Sequence, residues 1–519
     1  MENAPVEITL KQWLVQRAWL TPERVALHSS GRAWTWKELL CASDTMARRL
    51  ATAGIQRGDR VAALLRNGSP FVLLIHALGR LGAVLVPLNW RLAPTELAWQ
   101  IIDSQASVLL VDRETSERLA NLPVEGRRLV VLAVEPGTIW PLLNDVAEGT
   151  PALADEVDLQ AIQSILYTSG TTGTPKGVVL TYGNHWWNAV GSALNLGVRE
   201  DDCLLAVLPM FHVGGLAIVL RSVIYGATAV VQERFEPAAV NRAIEGEGVT
   251  IVSVVAAMLN RMLDERDGQP YPETLRCVLL GGGPAPRPLL ERCVQARMPV
   301  VQTYGLTESG SQAVTLAPQE ALRKLGTAGK PLFPVQLAIR VGERAAAVGE
   351  MGEICLRGPS IAAGYWSAGK VVWRDPRAWL RTGDLGWCDA EGYLVVADRR
   401  DDLIISGGEN VAPAEVEAVL LSHPDVVEAG VTGIADERWG QIPVAAVVVR
   451  RDAVVEEEGL RRFCAERLAR YKVPRAIVIV DALPQTASGK VQRRLLRERS
   501  WKIGSEVRVV EEELSPPPR

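Results

Sequence analysis

Lysine is nearly absent from this chain. Nine of its 56 basic residues are lysine and the other 47 arginine, in 519 residues, so a lysine kept inside a motif carries unusual weight. Histidine occurs five times, never at metal-ligand spacing from another His or Cys, which excludes a structural zinc site. The seven cysteines (Cys41, Cys203, Cys277, Cys293, Cys355, Cys388, Cys464) form no CxxC pair. Free thiols in a reducing compartment are expected, not a disulfide framework. Long apolar runs are missing too: the best candidate, FVLLIHALGRLGAVLVPL, is broken by His76 and Arg80, which excludes a spanning helix. Neither sign of charge dominates, with 56 basic residues against 60 acidic, and no basic block stands out, so nucleic acid is not the partner. The opening MENAPVEITLKQWL carries acids and a lysine before any apolar run, unlike a secretory signal. These absences predict a soluble cytoplasmic protein with neither a membrane nor a nucleic acid as partner.

What is present is globular. Hydrophobic residues make up 48% and charged residues 22% of the chain, near the averages for folded domains. WKELLCASDTMARRLATAG has the three-to-four spacing of an amphipathic helix ended by Gly54. RVAALL, VLVPL, ASVLLVD and RRLVVLAV read as buried strands, and DCLLAVLP, TAVVQE, VTIVSVV and RCVLLGGG continue the alternation. Strands alternating with helices predict α/β units with largely parallel sheets. From about residue 330 the texture becomes Gly- and Asp-punctuated strands, read as a small antiparallel, barrel-like subdomain. The expected organisation is therefore an N-terminal α/β domain over 1–400, containing that subdomain at about 330–400. A small α+β C-terminal domain should follow over 401–505, then a frayed tail over 506–519.

One motif narrows the chemistry. In LYTSGTTGTPKG (166–177) a strand runs into Ser, Thr and Gly residues closed by a lysine. Glycines let backbone N–H groups approach an anion, hydroxyls add donors and Lys176 adds a point charge, so the segment suits a phosphate. It is not a Walker A loop, because Lys176 is followed by Gly177. A merely flexible linker would not end in Pro-Lys and resume a strand.

SILYTSGTTGTPKGVVLTYGN resembles the AMP-binding signature of the adenylate-forming superfamily, which includes acyl-CoA synthetases, luciferases and peptide-synthetase adenylation domains. VQTYGLTES (301–309), WLRTGDLG (379–386), DRRDDLIISGGENVAPAEVE (398–417) and LPQTASGKVQRR (483–494) follow in the family's order. The resemblance implies a large N-terminal domain hinged to a small C-terminal one. It also implies a two-step reaction: Mg-ATP activates a carboxylic acid as an acyl-adenylate, and coenzyme A then displaces AMP. On this reading ATP, Mg2+ and coenzyme A are the cofactors, a small-molecule carboxylic acid is the substrate, and homo-oligomerisation is left open. Thr168, Ser169, Gly170, Thr171, Thr172, Gly173, Thr174 and Lys176 would hold the phosphates. Gly281, Gly282, Gly283, Pro284 and Ala285 would bring backbone close to the adenine and acyl group, with Tyr304 and Gly305 beside the adenine. Thr307 would bond the α-phosphate, Glu308 would bind Mg2+, and Asp384 with Arg399 would hold the ribose. Lys490 would offset charge in the adenylation transition state. Asp401 matches the hinge. Gly407, Gly408, Trp439 and Arg91 match contacts to the coenzyme A arm, though Trp439 reads equally as a core aromatic.

The acyl group is less constrained. GNHWWNAVGSALNLG, LPMFHVGGLAIVLRSVIYGATAVV and KLGTAGKPLF together resemble 2-succinylbenzoate–CoA ligases of menaquinone biosynthesis, while DDLIISGGEN is also similar to halobenzoate–CoA ligases. Benzoate and fatty acids stay open as alternatives. Arg221 lies in an otherwise apolar helical run, where a charge is seldom buried unless paired. It could pair with the ring carboxylate of a dicarboxylic acid, form a salt bridge, or snorkel to the surface. His212, in FHVGG, would line the acyl site and steer the reacting carboxylate. A peptide-synthetase domain would need a carrier domain, a non-catalytic sensor should have lost Lys490 or Glu308, and nothing signals oxygen chemistry.

Overall fold

The computed structural model describes residues 9–117, 130–134, 152–168, 175–282, 287–324, 326–399, 404–411, 413–450, 453, 455–484, 491, 493–498, 501–503 and 506–508. They fall into two compact units. The first holds Met1–Trp90, Leu97–Thr168 and Lys176–Ala397; the second gathers Arg91–Glu96 with the chain from Asp398 onward.

In the first unit, runs of Val, Leu, Ile and Ala build two large sheets. The eight-stranded sheet has the order Lys370–Trp373, Gly364–Ser367, Lys176–Thr181, Ile162–Thr168, Val84–Pro87, Arg60–Leu64, Val108–Asp112, Val130–Val134. Its last strands are parallel, whereas Lys176–Thr181 is antiparallel to both neighbours. The nine-stranded sheet has a parallel centre running Val300–Tyr304, Cys277–Leu280, Ile251–Val254, Cys203–Ala206, Thr228–Val231, Val25–Ser29. Strands such as Cys203–Ala206 and Cys277–Leu280 are buried at every position, as sheets covered on both faces require. Intervening helices bury one stripe each. Trp36–Thr52 turns Trp36, Leu39, Met46 and Leu50 inward, and each such side chain contributes about 1.5–3 kcal/mol. Its start is fixed by a capping box: Glu38 N–H donates to Thr35 Oγ1 (3.2 Å) and Thr35 N–H to Glu38 Oε2 (2.8 Å). The expected α/β class is thus the one adopted. A separate five-stranded sheet follows, ordered Arg344–Ala345, Gln336–Val341, Gly352–Arg357, Leu380–Cys388, Leu394–Arg399.

The second unit is built on a long antiparallel pair, Val426–Asp436 with Gly440–Val449, flanked by Ile404–Ser406 and by Ile477–Ile479. The helices Pro413–Leu421 and Glu457–Ala465 accompany this sheet, and Val416, Leu420, Leu460 and Cys464 join its core. Buried Lys472 pairs with Glu415 (2.7 Å). The tail expected from residue 506 needs correcting, because Glu506–Arg508 pairs with Trp501–Ile503 as a hairpin. Among the described residues no helix is long and apolar enough to cross a membrane.

Two histidines are sealed in the first unit. Burial pushes the His76 imidazole down to about 4. Burial, and then the charge of Arg221, push His185 down to about 3. Both stay neutral when folded but protonate near 6.5 once unfolded. Their contribution to stability is therefore complete above pH 6.5 and lost as pH falls toward 4, at up to about 1.4 kcal/mol per pH unit for each. Thermal midpoints measured between pH 7.5 and 5 should fall less steeply in His76→Gln than in the wild type. Parallel slopes would show that this histidine is not a source of the acid sensitivity.

Candidate active site

Two antiparallel strands flank the Ser/Thr/Gly motif. Ile162–Thr168 and Lys176–Thr181 pair antiparallel with Thr168 opposite Lys176, so the ladder brings the two ends of the motif together. Lys176 is exposed, and a Cβ at Gly177 would lie 2.8 Å from Ile165 Cγ2, so glycine is required for the strands to pack. Ser169, Gly170, Thr171, Thr172, Gly173 and Thr174 lie outside the described residues, as do Gly283, Pro284, Ala285, Asp401 and Lys490. Gly281 and Gly282 follow the strand Cys277–Leu280; a Cβ at Gly281 would stand 2.9 Å from Thr303 Cγ2, and Gly282 has φ +81°. Arg399 ends the strand Leu394–Arg399.

The second of these strands runs directly into the helix Tyr182–Leu196. Thr181 caps it by accepting from Asn184 N–H (3.1 Å), and Asn184 Oδ1 accepts from Thr181 N–H (2.9 Å). Two asparagines one turn apart on this helix then hold two loops. Asn184 Nδ2 donates to the carbonyls of Pro359 and Ile361, both at 2.9 Å. Asn188 Nδ2 donates to those of Ser309 (2.9 Å) and Gln312 (2.8 Å).

The segment held by Asn188 carries the nucleotide candidates. Tyr304 ends a central strand, and its hydroxyl donates to Asp384 Oδ2 at 2.6 Å, both residues being buried. A Cβ at Gly305 would overlap the Ser311 carbonyl oxygen, so the chain can turn there only with glycine. Thr307–Ser309 forms one 3₁₀ turn that leaves Thr307 and Glu308 half-buried. Tyr365 Oη donates to Glu308 Oε1 (3.4 Å), and the Glu308 carbonyl accepts from Ala362 N–H (2.7 Å). Among the described residues no three His, Cys, Asp or Glu side chains cluster to hold a metal. A lone carboxylate still suits magnesium, which binds through one or two carboxylates plus substrate phosphates.

His212 and Arg221 share the helix Val213–Tyr225. His212 is its exposed N-cap, its ring 4.5 Å from that of Phe211, which meets Trp90 edge-on at 6.5 Å. Arg221 is only 5% exposed. Its Nη2 donates to Asn188 Oδ1 at 2.5 Å, and its Nε is buried without a partner. Among the described residues no carboxylate pairs with it, so neither the salt bridge nor the snorkelling allowed by the sequence occurs. Burial lowers its pKa, yet the guanidinium stays charged at neutral pH.

In the second unit Gly407 has φ +60°, and its N–H donates to the Trp439 carbonyl at 2.8 Å. A Cβ there would lie 2.6 Å from Trp439 Cε3: the indole is seated on the glycine. Trp439 packs partly on the core cluster of Ile434, Ile442 and Val444, with Arg438 5.1 Å from its ring. Gly408 follows at φ +85°, and Arg91 pairs with Glu409. The coenzyme A candidates thus gather in one place. Asn184, Asn188 and Tyr365 escaped the sequence reading; the signal for the first two was a pair of amides at i, i+4 on the buried face of one helix.

The AMP-binding enzyme family matches residues 14–366, and the AMP-binding enzyme C-terminal domain matches 415–490. The 2-succinylbenzoate–CoA ligase of Geobacillus kaustophilus (strain HTA426) is 52% identical over 490 residues, spanning 94% of this chain and 98% of that protein. Among solved structures, a double mutant of the Bacillus subtilis o-succinylbenzoate CoA synthetase bound to its product analogue OSB-NCoA aligns with TM-score 0.87 and 42% identity, covering 95% of this chain and all of that one. The same Bacillus subtilis synthetase with ATP and a magnesium ion aligns with TM-score 0.70 and 43% identity, covering 94% of this chain and all of that one. With both family domains matched in order and an alignment that spans nearly its whole length, the chain belongs to the AMP-binding enzyme family.

Proposed function

We propose that this chain is an AMP-forming acid–thiol ligase that activates 2-succinylbenzoate with ATP and passes the acyl group to coenzyme A, in the cytoplasm, as a step of menaquinone biosynthesis. The observation that carries the substrate is Arg221. A buried guanidinium with no carboxylate beside it among the described residues costs several kcal/mol. A second carboxylate on the substrate offsets that cost, whereas benzoate, a halobenzoate or a fatty acid supplies none after its one carboxylate has reacted. The relatives with this activity support the same reading.

In the first half-reaction a succinyl carboxylate oxygen attacks the α-phosphorus of ATP, and the bond to pyrophosphate breaks. His212 steers that carboxylate, Thr307 donates to the α-phosphate, and the 168–176 motif with Lys176 holds the departing phosphates. Glu308, braced by Tyr365, would hold Mg2+, which would supply positive charge beside the phosphates. Asp384 accepts from the ribose hydroxyls, with Arg399 assisting, while Tyr304 and the 281–285 glycine turn border the adenine. Lys490 stabilises charge at the reacting phosphate. In the second half-reaction the coenzyme A sulfur attacks the acyl carbonyl, the bond to AMP breaks and the thiol proton is released. Gly407, Gly408, Trp439 and Arg91 border the pantetheine arm, and Asp401 is the hinge between steps.

Four outcomes test these assignments. Lys490→Ala should nearly abolish pyrophosphate release while leaving thioester formation from preformed acyl-adenylate largely intact in single turnover; equal loss in both steps removes the assignment. Trp439→Ala should raise KM for coenzyme A with adenylation near wild type, and a parallel fall in pyrophosphate release would make Trp439 a core residue only. In a pyrophosphate-release panel, 2-succinylbenzoate should outrun benzoate, 4-chlorobenzoate, fatty acids and amino acids. A charge-assisted hydrogen bond is worth about 1.5–3 kcal/mol, so Arg221→Ala should lower kcat/KM for the dicarboxylate roughly ten- to a hundredfold and barely alter a monocarboxylate analogue. A preference of the wild type for 4-chlorobenzoate would overturn the substrate.

A further inference from the structure

Asn188 is 3% exposed and spends its whole amide on two parties. An asparagine has two N–H donors and one carbonyl oxygen. Both donors go to the backbone immediately after Glu308, at Ser309 and Gln312, and the oxygen takes Arg221 Nη2. The backbone it grips does not hold its shape unaided. Ser311 has φ +115°, in a region a serine rarely adopts, and Gly310 has φ +68°. Such backbone persists only where its surroundings over-determine it. Together with the Ser309 hydroxyl on Leu306 N–H (3.0 Å) and Ala362 N–H on the Glu308 carbonyl (2.7 Å), this side chain fixes where Thr307 and Glu308 stand, and it alone of these also bonds the guanidinium assigned to the substrate's ring carboxylate.

We propose that Asn188 is a positioning residue that couples Arg221 to the Thr307–Glu308 turn, so that a ring carboxylate on Arg221 speeds activation as well as strengthening binding. The proposal rests on the substrate reading given above. Its chemistry is specific to an amide. Aspartate keeps the shape and the acceptor but has no donor for the loop, and its charge competes with the substrate for Arg221; alanine keeps neither contact.

The test is a double-mutant cycle in the full chain, following pyrophosphate release with 2-succinylbenzoate and with a monocarboxylate analogue. Asn188→Ala should lower kcat for 2-succinylbenzoate at least tenfold with KM for ATP within about threefold of wild type, a split that a general packing defect would not produce. In the Arg221→Ala background the same change should cost clearly less, because the part of the loss that depends on the ring carboxylate is already gone and only the hold on the loop remains to be lost. Asn188→Asp, which keeps the packing and gives folded protein if alanine does not, should fail to restore kcat and should erase the preference for the dicarboxylate. Equal losses in both backgrounds, or wild-type kcat in Asn188→Asp, overturn the coupling. If Arg221→Ala alone leaves the dicarboxylate preference intact while Asn188→Ala still lowers kcat, the assignment of Arg221 to the ring carboxylate fails and the coupling fails with it, but the hold of Asn188 on the loop stands.

Discussion

The antiparallel pairing of Ile162–Thr168 with Lys176–Thr181 is the constraint from which the site is built. Its ladder closes the base of the Ser/Thr/Gly motif, and its second strand launches the helix Tyr182–Leu196 at a fixed register through the Thr181 cap. Register on a helix is direction. Because Asn184 and Asn188 are one turn apart, both amides face the same way, and each fastens a loop distant in sequence. The two strand ends that flank the phosphate motif, the 3₁₀ turn with Glu308 and the stretch at Pro359–Ile361 are thus referenced to one rigid element, and geometry held this way costs no reorganisation during reaction.

A different economy governs the acyl side. The helix Val213–Tyr225 is apolar along nearly its whole length, which is why it packs so deeply, and Arg221 is buried with it. The charge is met by an amide oxygen and not by a carboxylate, so it is solvated but not neutralised. Burial, and then this charge, keep His185 neutral. A site that keeps its cation unneutralised can respond to an anion; one already ion-paired would first have to break the pair.

Much of this was legible in the sequence, for identifiable reasons. Buried parallel strands leave unbroken apolar runs, capped helices leave Thr-x-x-Glu patterns, and glycines forced by close approach, such as Gly177 and Gly305, recur inside motifs. Other features left no pattern. Whether Arg221 was paired, exposed or isolated depended on which residues a separate helix would bring, and Asn188 is 33 positions away along the chain. Tyr365 reaches Glu308 from the strand Gly364–Ser367, 57 residues later. The hairpin Trp501–Ile503 with Glu506–Arg508 was missed because short paired strands carry little periodicity. Contacts made locally can be read locally; those made by topology need the fold.

The indole of Trp439 resting on Gly407 has an evolutionary consequence. With the ring in place, position 407 can accept no side chain, whatever its chemistry, because the first carbon already collides. If residue 439 were reduced first, that collision would vanish and only the backbone preference would remain; at φ +60° an asparagine or aspartate could then be admitted. The order of change therefore matters. In a lineage the glycine can be lost only after the tryptophan, so the two positions should drift in one direction and not the other.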